Sequence, residues 1–352
     1  MEAVWYLVVA SMLTAWAVLD GFDFGAGVVH HAVARSESER ARVLAAIGPV
    51  WDGNEVWLVA SGGVFVFAFP HAYAAAMSGM YLPMMMVLWL LVFRGVAIEL
   101  RGQVDDPLWR AGWDTTFALA STVLAFVAGV ALGNVVRGVP VDEHGWFHID
   151  LFAGSGGHAG AIDAYTALVG LLAVVVLAAH GATFVAWKTT DAMAARSVAV
   201  ARRAWMLAAA LAVAATWMTA RVRPGLFEAL GHRPWLWALP VIAVGSPVVA
   251  LRALRPDAAA GRGEPRALRA FLASSAFVAS LLLLTAGTLY PVLLPSTLSP
   301  AFDLDAHGTA SGAQGLATGL AWWGPAMALA ILYFVNLFRS MRGKVATGDG
   351  GH

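Results

Sequence analysis

The chain has 352 residues, 60% of them hydrophobic and only 12% charged, with a formal net charge of zero and no cysteine. A soluble domain carries about 25% charged residues, so roughly half the expected charge is missing and the composition is that of a protein solvated by lipid. Zero net charge argues against a nucleic-acid surface, and the lack of cysteine excludes disulfides, iron–sulfur clusters and thiolate zinc sites.

The opening run Met1-Glu2-Ala3-Val4-Trp5 lacks the basic segment of a cleaved signal peptide, so the first apolar stretch is expected to stay in the protein. A membrane span needs about 20 mostly apolar residues. That ruler predicts nine transmembrane helices, at 4–30, 46–69, 79–100, 113–136, 164–187, 204–221, 235–253, 270–292 and 317–338. Trp5, Tyr6, Trp109, Trp113, Trp187, Trp205, Trp235, Trp237, Trp322 and Trp323 stand at their borders, as interfacial anchors do. The longest external loop, 138–163, gathers Asp142, Glu143, His144, His148, Asp150 and His158. It reads as a solvated, Gly-rich cap, with metal binding as the sharper alternative. The stretch 255–266 reads as a cytoplasmic linker, and no internal repeat is evident.

Nine spans put the termini on opposite sides. Loops on one side hold 17 Lys and Arg, from Arg35, Arg40 and Arg42 through Arg252, Arg255, Arg262, Arg266 and Arg269 to Lys344. The other side holds only Arg137, Arg221, Arg223 and Arg233. Basic residues concentrate in cytoplasmic loops, so the N-terminus is expected outside and the C-terminus inside.

Ionisable groups within spans cost about 2.5–3.5 kcal/mol each to insert and are functional candidates by default. The first span contains Asp20 and Asp23, the second Trp51-Asp52-Gly53-Asn54-Glu55, and the third Arg94 and Glu99. Asp20 and Asp23 are three apart and share a helix face, as do Asp52 and Glu55. At 1.5 Å per residue, Asp20, Asp23, Asp52, Glu55 and Arg94 all reach the cytoplasmic half of the membrane. Four carboxylates against one arginine leave excess acid, so at least one carboxyl is expected to hold a proton at neutral pH. The pattern suits a proton-uptake path and equally a structural ion-pair network; the two are compatible.

Gly21 and Gly25, and likewise Gly129 and Gly133, are spaced for close helix packing, which removes a nucleotide-loop reading of the glycines around Asp23. Met84-Met85-Met86 reads as lipid-facing or core. A chain carrying its own b-type haem needs facing axial ligands, usually histidines. Only His180 lies well inside a span; His30 and His31 are at a cytoplasmic end and His71 at an external one. The chain alone is therefore not expected to bind haem, a His–Met pairing with Met12 or Met85 being the alternative.

Several stretches resemble subunit II of the cytochrome bd quinol oxidase family. They are Asp20-Gly21-Phe22-Asp23, the run from Gly48 to Gly63 (GPVWDGNEVWLVASGG), Ser78 to Pro83, Arg94-Gly95-Val96-Ala97 with Glu99 and Arg101, and Gly133 to Pro140. Further on come His180-Gly181-Ala182 with Lys188-Thr189, and Leu289-Tyr290-Pro291 with Leu294-Pro295. The likeness runs from about residue 15 to the C-terminus, loosening in the last third, and His307–Thr318 departs from the family's loop. It implies an all-α polytopic membrane protein with two four-helix bundles and a peripheral helix. The corresponding division is 1–137 for the first bundle, 138–163 for the external loop and 164–352 for the second bundle, peripheral helix and tail.

The resemblance further implies a partner subunit I holding haem b and haem d, or a second b-type haem, in the bacterial cytoplasmic membrane. That complex oxidises quinol, reduces oxygen to water and is electrogenic without pumping. This chain would contribute proton access, a quinone or lipid contact, and in some complexes would sit beside a small accessory subunit. Asp52 matches the family residue assigned to proton transfer, with Arg94 near it. The competing readings are an ion-coupled secondary transporter using the same acids, although such folds show inverted repeats, and a purely structural scaffold.

Overall fold

Apolar runs and the polar caps that interrupt them set the element boundaries in the computed structural model, which describes residues 1–152, 160–255, 266–341 and 343–345. Helix α1 (Glu2–Val28) leads through a single turn, α2 (His30–Val33), to the short polar helix α3 (Glu37–Ile47). Ser36 caps α3 in a reciprocal pair with Glu39, satisfying donors that a helix start leaves open. The Gly48-Pro49 break separates α3 from α4 (Trp51–Ala68), and Pro70 opens α5 (Pro70–Gly79). Then come α6 (Tyr81–Leu100) and α7 (Pro107–Arg137), the latter started by the Asp106 cap and Pro107.

After the external loop, Asp163 caps α8 (Ala164–Lys188), which is followed by α9 (Asp191–Val222), α10 (Gly225–His232), α11 (Ala238–Ala253) and α12 (Ala267–Leu289). A two-stranded hairpin, β1 (Val292–Leu294) with β2 (Leu304–Asp305), precedes the last helix, α13 (Ala313–Ser340). Among the described residues eight segments are long and apolar enough to cross a membrane: α1, α6, α7, α8, α9, Pro234–Ala253, α12 and α13. The remaining predicted span, 46–69, corresponds to α4, which has only 18 residues and carries Asp52 and Glu55 in its first turns. Its expected first residues, Ala46 and Ile47, belong to α3 instead. The 32 residues of α9 measure about 48 Å, more than the roughly 30 Å hydrocarbon layer, because its first turns are polar and begin well before the predicted start at 204.

Helix α1 is central, packing against α4, α7, α8 and α12. Its crossing with α8 is backbone on backbone: a Cβ at Gly25 would lie 1.9 Å from the Leu177 carbonyl oxygen, and one at Gly181 would lie 2.1 Å from the Gly25 carbonyl carbon. The expected close packing at Gly129 is likewise present, against Gly170 of α8. The middle of α13 is not buried. That helix is held to α1 and α4 by Trp5 Nε1 donating to the Leu316 carbonyl at 3.1 Å, by Gly319 against Phe67, and by Trp57 beside Phe334. Externally, Gly138 at φ +96° turns the chain out of α7. Val139 N then donates to the Pro295 carbonyl at 3.0 Å, joining the two external segments into one cap.

Candidate functional site

Arg94 of α6 is wholly buried, and so are Asp20, Asp23 and Asn54. The Arg94 Nη2 atom forms an ion pair with Asp20 Oδ1 at 2.6 Å and lies 4.0 Å from Glu55 Oε2. Its guanidinium also sits 4.4 Å above the Phe24 ring, a contact that favours a cation out of water. Trp16 Nε1 donates to Asp20 Oδ2 at 2.9 Å. Asn54 Nδ2 donates to Asp23 Oδ2 at 2.8 Å and to the Leu19 carbonyl at 3.3 Å. Three helices, α1, α4 and α6, thus supply one polar seam. Asp23 Oδ1, Asn54 Oδ1 and Arg94 Nε and Nη1 are buried in it without a hydrogen-bond partner among the described residues.

The other expected members lie outward from the seam. Glu55 is half-buried, its side chain 19% exposed. Asp52, one turn earlier on α4, is exposed, and so is Glu99. Asp52 occupies the first turn of a helix that starts at Trp51, so it stands apart from the buried Asp20 and Asp23. Trp51 is partly buried and packs on α6 at Gly95, where a Cβ would lie 3.2 Å from its ring.

A second cluster escaped the sequence reading. Arg101 is seven residues beyond Arg94 on α6, about 10 Å further along the same face. It grips Asp114 of α7 through Nε at 2.6 Å and Nη2 at 3.2 Å. His30 Nε2 lies 3.0 Å and Arg40 Nε 3.0 Å from the same carboxylate. Asp114 sits just inside the predicted fourth span, and that position was the available signal. Around it, Glu37 pairs with Arg110, and Glu39 pairs with Arg196 of α9 at 2.5 Å. The Glu39 carboxylate is only lightly buried; that burial raises its pKa, and hydrogen bonds from the Arg35 and Ser36 amides and from Arg196 outweigh it, holding the group below its ordinary value.

In the external loop, His148 Nε2 lies 3.4 Å from Asp150 and His144 Nε2 3.7 Å from Glu143. Among the described residues no three such groups converge as a metal site; His158 lies outside them. Between α1, α7, α8 and α12 runs an apolar cavity of about 400 Å³. Tyr6 and Val9 line one end and Trp16 and Leu177 the other, so the indole that holds Asp20 also forms cavity wall.

Residues 1–341 match the family model described as cytochrome bd terminal oxidase subunit II. The chain belongs to that family. Cytochrome bd-I ubiquinol oxidase subunit 2 of Escherichia coli K12 is 30% identical over 322 residues, covering 84% of this chain and 82% of the relative. Cytochrome bd ubiquinol oxidase subunit 2 of Bacillus subtilis is 36% identical over 185 residues, 53% of each chain. The bd oxidase structure from Geobacillus thermodenitrificans shares the fold, with a TM-score of 0.72 at 21% identity over 97% of this chain and 98% of that one. As a cytochrome bd subunit II, the chain is part of a respiratory oxidoreductase, which displaces the transporter and scaffold readings.

The family implies haem in the complex, and a haem ligand in this cytochrome bd subunit would need a histidine with a ring nitrogen free to face the iron. His180 is engaged at both ring nitrogens, by Ser274 Oγ at 2.6 Å and the Val18 carbonyl at 2.9 Å. It also stacks on Phe271 at 5.0 Å between centroids. His30 spends Nε2 on Asp114. His180 has no open nitrogen, and His30, which keeps only Nδ1 unpartnered among the described residues, sits beside the Asp114 cluster and not opposite His180, so the two do not make an axial pair.

Proposed function

We propose that this chain is the haem-poor subunit of a quinol-oxidising, oxygen-reducing cytochrome bd complex and supplies its cytoplasmic proton path. In this reading haem b and haem d, or a second b-type haem, sit in a partner subunit I, whose chemistry draws protons from inside and is electrogenic. The names of the E. coli and B. subtilis relatives, both ubiquinol oxidases, support quinol as the reductant. With α4 counted, the helices make nine spans, as two bundles split at residues 137 and 164 plus peripheral α13, the N-terminus outside.

The observation that carries the proton reading is the graded burial of one acidic seam. Asp52 is exposed, Glu55 half-buried beside Arg94, and Asp20 and Asp23 wholly buried behind it. Carboxyls in such a series can take a proton at the surface and pass it inward, and the unpaired polar atoms beside Asp23 and Asn54 supply hydrogen-bonding capacity for the transfer. Arg94 keeps the buried end from losing its charge balance. The apolar cavity walled by Trp16 suits an isoprenoid or acyl chain, matching the expected quinone or lipid contact.

Asn at position 52 keeps shape and hydrogen bonding but cannot ionise. Loss of a positioned proton donor costs roughly 10²–10⁴-fold where that step limits turnover. Asp52→Asn should therefore assemble with an unchanged haem spectrum yet slow quinol-driven oxygen consumption at least tenfold, and Glu55→Gln should do the same. Full-rate turnover of both variants across pH 6–8 rules the path out.

A further inference from the structure

The arginines on the cytoplasmic side fall into two populations. Most of those around α3, α6 and α7 are neutralised, Arg40 and Arg101 by Asp114, Arg94 by Asp20 and Arg110 by Glu37 and Asp105, and so is Arg196 near the start of α9, by Glu39. Those further along α9 and at the adjoining ends of α11 and α12 are not. Arg202, Arg203, Arg252, Arg255 and Arg269 are all exposed, and none pairs with a carboxylate among the described residues. Concentration of basic residues on the inner side orients a chain; it does not require that one half be paired and the other left bare.

The bare set is gathered in space. The Arg266 amide donates to the Ala253 carbonyl at 3.1 Å, which brings the end of α11, with Arg252 and Arg255, beside the start of α12, with Arg269. Helix α9 packs on α11, and Trp205 meets Phe277 of α12 at 5.3 Å between centroids. Helices α9 and α12 both begin at this end, so Arg203 stands about 9 Å further into the membrane than Arg269. The arginines thus rise from the rim into the acyl boundary, which their stems can span by snorkelling. Directly beyond them the same helices expose Met206, Leu207, Val248, Val249, Leu268 and Leu272. Bare cations below a continuous exposed apolar face are complementary to an anionic amphiphile, phosphate on the arginines and acyl chains along the helices.

We infer that the cytoplasmic ends of α9, α11 and α12 form a binding site for an anionic phospholipid of the adjoining leaflet. The site is separate from the acidic seam, which faces α1, α4 and α6. An acidic segment of another protein would satisfy the charges but not the apolar face, which is why the lipid is favoured.

The test uses the assembled oxidase complex, purified in detergent and stripped of lipid, titrated with fluorescent phosphatidylglycerol and, separately, with phosphatidylcholine. Saturable binding of phosphatidylglycerol, with phosphatidylcholine much weaker, is expected. Each arginine near an anionic surface contributes roughly fivefold in affinity, so Arg252→Gln/Arg255→Gln/Arg269→Gln together should weaken phosphatidylglycerol on the order of a hundredfold. The Lys versions at the same positions keep the charge and should bind within a few-fold of the parent. Equal binding of the two lipids by the parent overturns the inference. So does undiminished phosphatidylglycerol binding by the Gln variant, or a stoichiometric protein that occupies the patch and is lost with it.

Discussion

Arg94→Leu removes the cation that faces the buried end of the acidic seam. Asp20 loses a partner at 2.6 Å and keeps only the Trp16 indole at 2.9 Å. Removing one member of a buried pair costs about 3–5 kcal/mol. An independent bound agrees, because the alternative to a bare carboxylate is a protonated one. Neutral pH lies about 3 units above the ordinary aspartic pKa, and 1.36 kcal/mol per unit puts the cost near 4 kcal/mol. Against a total stability of about 5–15 kcal/mol, that is enough to deplete the assembled complex. The assay is haem absorbance per milligram of membrane protein together with the thermal midpoint of whatever complex is purified. Since the penalty is one of proton binding, the deficit should shrink by about 1.4 kcal/mol for each unit the pH is lowered. Adding Asp20→Asn to Arg94→Leu removes the carboxylate that lost its 2.6 Å partner and should recover most of the yield. Parental yield and midpoint for Arg94→Leu, or no recovery in the double variant, refutes the reasoning.

Gly181→Ala should abolish assembly, because its Cβ would meet the Gly25 backbone at 2.1 Å. Ala at exposed Gly112, which has nothing within 4 Å, should leave assembly intact and stabilise α7 by about 0.5–1 kcal/mol. Asp163→Ala should cost about 1 kcal/mol in cap energy alone, measurable as a lower thermal midpoint at pH 7. Burial pushes the Asp163 pKa up, but the Thr166 amide and Arg137 outweigh it and hold the carboxyl below its ordinary 3.8. Its charge therefore stabilises the fold above that pH and ceases to do so as the pH falls through the folded-state value; the difference from the parent should narrow there and not at alkaline pH. A phosphatase fused after the C-terminus, active only when exported, should be inactive; strong activity would mean that the span count is wrong by one.

The spans were legible because a run of apolar residues long enough to cross lipid has few alternatives. Their ends were less so. The predicted eighth span runs to 292 but α12 stops at Leu289, where the Tyr290-Pro291 pair leads into β1. Neither α5 nor the β1–β2 hairpin was foreseen, being too short to leave a periodic signal. In the site, depth counting brought Asp20 and Arg94 to one level, since rise per residue is fixed. It could not choose a helix face, because in a helix apolar on all sides periodicity does not mark the buried one. Asp52 and Glu55 do share a face, and that face turns outward at Asp52. Asp114 was missed for a related reason: its partners His30, Arg40 and Arg101 come from three other elements, and no spacing rule within one helix connects them.

The bond from the Trp5 indole to the Leu316 carbonyl has a consequence for biosynthesis. Domains settle from the N-terminus as a chain is made, yet the first helix here completes its packing against the last. Ser311 adds to that closure, its amide donating to the Ala68 carbonyl at 2.9 Å and its hydroxyl to the Phe67 carbonyl at 2.6 Å. Until residues near 316 arrive, an indole N–H and the edge of Phe67 stand uncovered near the start of the protein. A nascent chain therefore carries, on its oldest helix, a mark of being unfinished that only its final helix erases.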